Sequence, residues 1–336
     1  MQGRATIAYA AFACVVILSS ACSRRNGGQH QSLNDAKKGF RTRIVTQEGY
    51  ERDGPAPEPP KGVLERISYP SPVGSLVAYI TPRPTDSNRH PAVVWAHGGF
   101  GGIGDFLWER PDPENDQTAA ALRDAGLVVM YPSFRGENDN PGQFEMFYGE
   151  VDDLLAAAEY VRRLPWVDPT RVYLAGHSSG ATLVLLAATA SENFRAAFAF
   201  GPWIGLDADP DALRSMRVMD RVHVPFDPDR PDEARLRSAI LFAGSIRRPT
   251  FAMEGEEYAL PAMPLFVERA QRAKAPFVAF TVKGGDHFNI LYPLTRLVAA
   301  RILADTGPAC SIRITAQDVD DAFAHRPSPP SSVEAP

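Results

Sequence analysis

Along residues 63–303 the chain changes hydrophobic period again and again. Residues 63–69 and 76–80 are β-rich runs joined by a Pro/Gly turn, and Ala92-Val-Val-Trp-Ala96 is a continuous apolar run that stops at His97-Gly-Gly. Both patterns predict strands, the second one buried on both faces. A short helix is expected over 118–125 and a strand over 126–131. Val151, Leu154, Leu155, Ala158 and Val161 then fall at helical spacing, in a helix that Pro165 brings to a halt. Further on come an apolar strand over 171–175, a helix rich in Ala and Leu, and strands over 196–200, 250–253 and 277–282. Helices over 262–274 and 288–303 complete the series. Strands alternating with helices predict an α/β fold: a mostly parallel sheet with helices on both faces. Between Gly205 and Ser245 the alternation fails in a charged, Pro-rich stretch, read as a small helical cap over 206–245. No internal repeat is present.

The ends read differently. Arg4, the apolar run 5–18 and the small residues after it have the layout of a targeting segment. Its ending, Leu18-Ser19-Ser20-Ala21-Cys22, resembles a bacterial lipobox, with Leu one position further from the cysteine than usual. The resemblance implies a leader over 1–22, a lipid on Cys22, export, and tethering to a membrane face. Ser23 after the cysteine does not favour inner-membrane retention. A plain signal peptide and an uncleaved anchor are the alternatives. Residues 23–62, with a proline cluster at 55–60, read as an extended tether, although a short strand over 41–46 is able to pack on the domain. The α/β domain is expected over 63–305. Residues 306–336 are expected to be a largely disordered tail, with a turn or two of helix starting at Thr315 and disorder by composition over 327–336.

Composition narrows the function. A chain 44% hydrophobic with a net charge of −5 can bury a sizeable core and gives nucleic acid no basic surface. Of three cysteines two lie in the leader, so no disulfide framework is expected and Cys310 is a lone thiol. No Cys/His/carboxylate cluster has metal-ligand spacing and no phosphate-binding glycine pattern opens a helix, so neither metal nor cofactor is implied.

The chemistry concentrates at Gly176-His177-Ser178-Ser179-Gly180, set between an apolar strand and a small-residue helix. G-x-S-x-G in that context is a sharp strand-to-helix turn that exposes the serine hydroxyl, and Ser178 is the candidate nucleophile. The helix N-terminus would bring the Ser179 N–H to a developing negative charge. A serine needs a base. Of seven histidines, His30 and His325 lie in the ends, His90 in a turn and His223 in the cap. His177 is expected to point away from the serine and His97 to brace the glycine loop. His287, in Gly284-Gly-Asp-His-Phe288 between the last strand and the last helix, is the candidate base. In the loop His97-Gly-Gly-Phe-Gly-Gly102 the N–H of Gly99 or Phe100 is the candidate second oxyanion donor.

Together, His97-Gly-Gly, Ser133-Phe-Arg-Gly136, Glu150-Val-Asp-Asp-Leu, Leu164-Pro-Trp-Val-Asp-Pro-Thr-Arg171, Gly176-His-Ser-Ser-Gly180 and Gly285-Asp-His287 resemble an α/β-hydrolase of the prolyl oligopeptidase and dienelactone-hydrolase branch. The resemblance implies a Ser-His-acid triad. It departs at the acid: the family usually ends a strand in His-Gly with the catalytic Asp three residues later, and here that position is Tyr258. Glu254 and Glu257 rank level as replacements, ahead of Asp207 or Asp209 after the preceding strand; Asp286 would have to point back. Phe100, Trp108, Trp203 and Phe288 are candidates to line an acyl pocket, with core packing as the ordinary alternative. The pairs Asp152-Asp153 and Asp320-Asp321 read as solvated helix faces. Peptidases of the resembled family carry a β-propeller ahead of the hydrolase domain, and residues 1–62 contain no blade-like repeat. Hydrolysis of a small ester is therefore the first expectation, peptide hydrolysis the second, and a binding protein with a decayed triad the third.

Overall fold

Eight runs of β-branched and aromatic residues pair into one sheet in the computed structural model, which describes residues 30–48, 50, 53–109, 112–205, 224–258 and 261–326. The strands are β1 (Glu65–Ser71), β2 (Gly74–Ile80), β3 (His90–Ala96), β4 (Val128–Pro132), β5 (Val167–His177), β6 (Ala197–Phe200), β7 (Thr250–Gly255) and β8 (Phe277–Val282). They lie in the order β1-β2-β4-β3-β5-β6-β7-β8. β2 is antiparallel to both β1 and β4, and every pair from β4 to β8 is parallel.

Alternation along the central strands feeds two cores. Ala92, Val94 and Ala96 of β3 and Val172 and Leu174 of β5 face one; Val93, Trp95, Tyr173 and Ala175 face the other. The first is covered by α3 (Glu150–Arg162) and α4 (Ser179–Ala190), the second by α2 (Ala120–Asp124) and α7 (Leu291–Ala304). Helix α4 is apolar all round, and Gly180 to Thr189 are buried without a break. Chain order reverses between neighbouring β3 and β5, so their carboxyl ends open the crevice where a parallel sheet takes its ligands. The His97 loop and the Ser178 turn both emerge there.

Three expectations change. From residue 30 the tether segment lies on the domain. α1 (Leu33–Lys37) packs on α4 with Leu33 fully buried, and Lys37 pairs with Asp152 at 2.8 Å. The strand expected over 41–46 is an isolated bridge, Ile44 with Phe226. The described part of the tail, 306–326, lies on the domain: α8 (Ala316–Ala324), the helix expected from Thr315, opens with a Thr315/Asp318 capping box and seats Val319 and Phe323 in the second core. A few apolar residues in a polar segment carry that packing. The described part of the cap, 224–245, holds α5 (Pro231–Arg235) and a 3-10 stretch (Ala239–Ser245) packed against α4 and α6 (Met263–Arg272). It is a buttress in the first core, with Phe226 and Leu236 fully buried. Asp207, Asp209 and the leader with Cys22 lie outside the described residues. Among the described residues no helix is long and apolar enough to cross a membrane.

Candidate active site

Ser178 follows β5 and caps α4 at φ 53, ψ −116, a conformation that a side-chain-bearing residue adopts only under strain. Its N–H donates to the Phe200 carbonyl at 2.8 Å. The flanking glycines are required by neighbouring backbone. A Cβ on Gly176 would lie 2.7 Å from the Ala96 carbonyl oxygen, and one on Gly180 would overlap the same atom. The end of β3 thus passes under the turn and pushes the serine outward.

His287 sits in the loop between β8 and α7, and Glu254 at the end of β7 reaches it. Glu254 Oε2 is 3.4 Å from His287 Nδ1, with both side chains largely buried. The contact is long and off-axis, and Nδ1 makes no hydrogen bond. Glu254 Oε1 accepts from the Gly255 N–H at 2.8 Å, which turns Oε2 toward the ring. Gly201, after β6, makes the seat: at φ +66 its absent Cβ would stand 2.5 Å from His287 Cε1, 2.7 Å from Nδ1 and 3.1 Å from Glu254 Oε2. Nothing in the sequence reading singled out Gly201; the signal was Phe200-Gly201-Pro202, a turn directly after a strand.

The level ranking of Glu254 and Glu257 is thereby corrected in favour of Glu254. β7 runs on through Gly255, and the 3-10 turn Glu256–Tyr258 then carries Glu257 to the exposed side. Asp286 is committed elsewhere, accepting from the Phe288 and Asn289 N–H groups at 2.7 and 2.8 Å. Tyr258 is exposed, with its ring 5.5 Å from that of His287.

In the glycine loop Gly99 has φ +91, and its carbonyl accepts from the Ser179 hydroxyl. A trans peptide sends its C=O and the next N–H to opposite sides, so the Phe100 N–H is directed away from Ser179. Of the two candidate donors this leaves the Gly99 N–H. His97 braces the loop, its Nδ1 2.8 Å from the Gly98 carbonyl. Burial lowers its pKa, which leaves it neutral.

A cavity of about 280 Å³ opens at Ser178, Glu254 and His287, walled by Phe100, Thr182, Pro202, Trp203 and Tyr258. On the other side of Ser178 and His287 a wider groove of about 640 Å³ is lined by Phe106, Glu109, Asp112, Asn115, Gln117 and Phe288. Three of the four candidate aromatics therefore reach the site. Trp108 does not: it packs edge-on against Tyr79 at 5.2 Å. His177 was expected to turn away from the serine. It lies beneath His287, ring to ring at 4.6 Å. Asp152-Asp153 is no solvated face, since Asp153 is fully buried and holds Arg135 through two hydrogen bonds of 2.8 and 2.9 Å. Beside them Glu150, also buried, has its pKa raised to about 7, by burial first and by the Glu145 charge second.

Residues 113–257, from before α2 through Glu257, match the model of the prolyl oligopeptidase family. The chain has the α/β-hydrolase fold. Solved structures similar to it include the Pyrococcus horikoshii acylaminoacyl peptidase, at 17% identity and a TM-score of 0.57 over 76% of this chain and 43% of that one. The Pyrobaculum calidifontis esterase is 20% identical with a TM-score of 0.52, over 73% of this chain and 86% of that one. A puromycin-hydrolyzing peptidase of Mycobacterium tuberculosis is 21% identical with a TM-score of 0.57, over 72% and 39%. The chain thus spans less than half the length of the two peptidases. No curated protein matches its sequence.

Proposed function

We propose that this protein is a serine hydrolase that cleaves carboxylic esters carrying a compact hydrophobic group, by acyl transfer through Ser178. The observation that carries the reading is the convergence of Ser178, His287 and Glu254 on one apolar-walled cavity, with Gly201 shaped around the His–Glu pair. Ser178 Oγ attacks the carbonyl while His287 takes its proton, and the N–H groups of Ser179 and Gly99 hold the oxyanion. Glu254 stabilises the imidazolium that forms and fixes its tautomer. His287 then returns the proton to the leaving oxygen, and water repeats the cycle on the acyl-enzyme.

Two features favour an ester. The cavity of about 280 Å³ suits a small group, below the common range for ligand sites of roughly 300–1,000 Å³. The Glu254–His287 contact is long, and an alkoxide leaves with less protonation than an amine, so ester cleavage demands less of the base. Peptide hydrolysis is the second reading, favoured by the wide groove beyond Ser178, which has room for a longer chain. The lipobox-like segment ending at Cys22 supports an exported, lipid-tethered enzyme.

Fluorophosphonate labelling of the purified protein beside Ser178→Ala tests the nucleophile, and a panel of p-nitrophenyl esters and amides tests the class. Labelling lost in the variant with ester turnover supports the reading. Absence of labelling in folded wild type refutes it, and amide turnover exceeding ester turnover moves the assignment to a peptidase.

A further inference from the structure

We propose that His177, the residue before the nucleophile, is the positioning residue for the base: it pins the His287 loop through the His287 backbone carbonyl. The inference rests on the proposed roles of Ser178 and His287. His177 Nε2 lies 2.9 Å from that carbonyl oxygen and Nδ1 lies 3.1 Å from Gln117 Oε1, while Gln117 Nε2 donates to Asn115 Oδ1 at 2.8 Å. The side chain is almost wholly buried. A carbonyl only accepts, so Nε2 carries the hydrogen. Burial, and then the adjacent His287, push the His177 pKa down to about 3, so the ring is neutral and Nδ1 is bare. For Nδ1 to accept from Gln117, the O and N of that amide are exchanged relative to their placement, and those of Asn115 with them, since amide orientation is assigned from the hydrogen-bond network. In that arrangement Asn115, Gln117, His177 and the His287 carbonyl form one donor–acceptor chain with the His177 hydrogen on Nε2.

Its surroundings are fitted to it. A Cβ on Gly98 would come within 2.8 Å of His177 Nδ1, so the glycine loop leaves room for the bond to Gln117. The rings of His287 and Phe288 stand 4.6 and 5.7 Å away. The base needs such a support. Its loop has no regular structure, and its ring has no hydrogen bond at Nδ1 and a carboxylate only at 3.4 Å. His177 belongs to the same turn as Ser178, so this bond ties the base to the backbone of the nucleophile. A neutral ring beneath His287 also lets the imidazolium form without repulsion from a second positive charge.

Steady-state kinetics with p-nitrophenyl butyrate on wild type, His177→Phe and His177→Gln, with thermal unfolding of each, tests the proposal. Phe keeps the ring volume and loses both bonds, while Gln keeps a donor near Nε2. His177→Phe is expected to lose about 10- to 100-fold in kcat, the scale of a misplacement approaching 1 Å, with KM little changed. His177→Gln is expected to recover most of that loss. Wild-type kcat in a folded His177→Phe, or a His177→Gln no better than Phe, overturns the proposal. If His177→Phe does not fold, Gln117→Leu decides: a reduced kcat at constant KM supports the path and an unchanged kcat overturns it. Active wild type with an indifferent His177 refutes this inference alone; a wild type that neither labels nor turns over refutes the proposed function with it.

Discussion

Replacing Gly201 by alanine is a direct test of the Glu254–His287 seat. The new methyl would stand 2.5 Å from His287 Cε1 and 2.7 Å from Nδ1, where ordinary contact begins near 3.4 Å. The ring must therefore retreat by roughly 1 Å, and Oε2 of Glu254, at 3.1 Å, must give as well. A displacement of that size at a reacting group costs about 10²-fold in rate, or about 2.7 kcal/mol at 1.36 kcal/mol per decade. The positive φ adds a separate charge on stability of about 1–2 kcal/mol, lowering Tm by roughly 2–8 °C for a domain of this size. Gly126→Ala separates the two effects, because Gly126 has φ +79 and nothing within 4 Å of its Cβ position. It should lose similar stability and no activity. The assay is kcat/KM on p-nitrophenyl butyrate with a thermal melt for each variant. If Gly201→Ala stays within about threefold of wild type, a margin far below the 10²-fold expected, the seat described here is not the working geometry of the base.

The same seat predicts that Glu254→Gln reduces kcat by about 10²–10⁴-fold, as loss of a triad acid does, while Glu257→Gln leaves it near wild type; equal effects in an ester assay would revive Glu257. Arg237 is fully buried against Glu233 at 2.8 Å and donates to the Glu145 and Met146 carbonyls, so Arg237→Ala should cost about 3–5 kcal/mol in urea unfolding. A loss under 1 kcal/mol, the scale of an exposed pair, would contradict the buried node. Glu150, with its folded pKa near 7 against an ordinary 4.5, binds a proton in the folded state that the unfolded state has released between those values. Its contribution to stability is fully present below about pH 4.5 and is lost as pH rises through 7, roughly 3 kcal/mol by linkage. Glu150→Gln should flatten that fall in Tm between pH 5 and pH 8, and an identical slope in the variant would refute the assignment. In a bacterial host, globomycin should block processing and lipid should be found on Cys22; a lipid-free mature N-terminus beyond Cys22 would refute the anchor.

Local pattern was enough for the architecture. Period-2 and period-3.6 runs placed every strand of the sheet within a few residues, because each strand and helix must present an apolar face to the same core. The placement of Ser178 and His287 was legible for a related reason. A glycine-flanked serine between strand and helix, and a histidine between the last strand and helix, are local signals of the turns that carry them. The acid was not. Whether Glu254 or Glu257 faces the base depends on where β7 stops and which way the next turn rotates, and those are decided by pairing with β8 and by the approach of the Asp286 backbone to Gly255. Gly201 and His177 were hidden likewise, since their roles exist only in contacts with residues 86 and 110 positions away. The segments at 30–64 and 306–326 misled for the opposite reason: polar and Pro-rich composition describes most of their residues, yet a few buried apolar ones, Leu33, Ala56 and Leu64 in the first and Ile312, Ile314, Val319 and Phe323 in the second, dock them. Sequence determined which elements form and which chemistry they carry; tertiary contact decided which side chains meet, because distance across the crevice is set by the sheet and not by the chain.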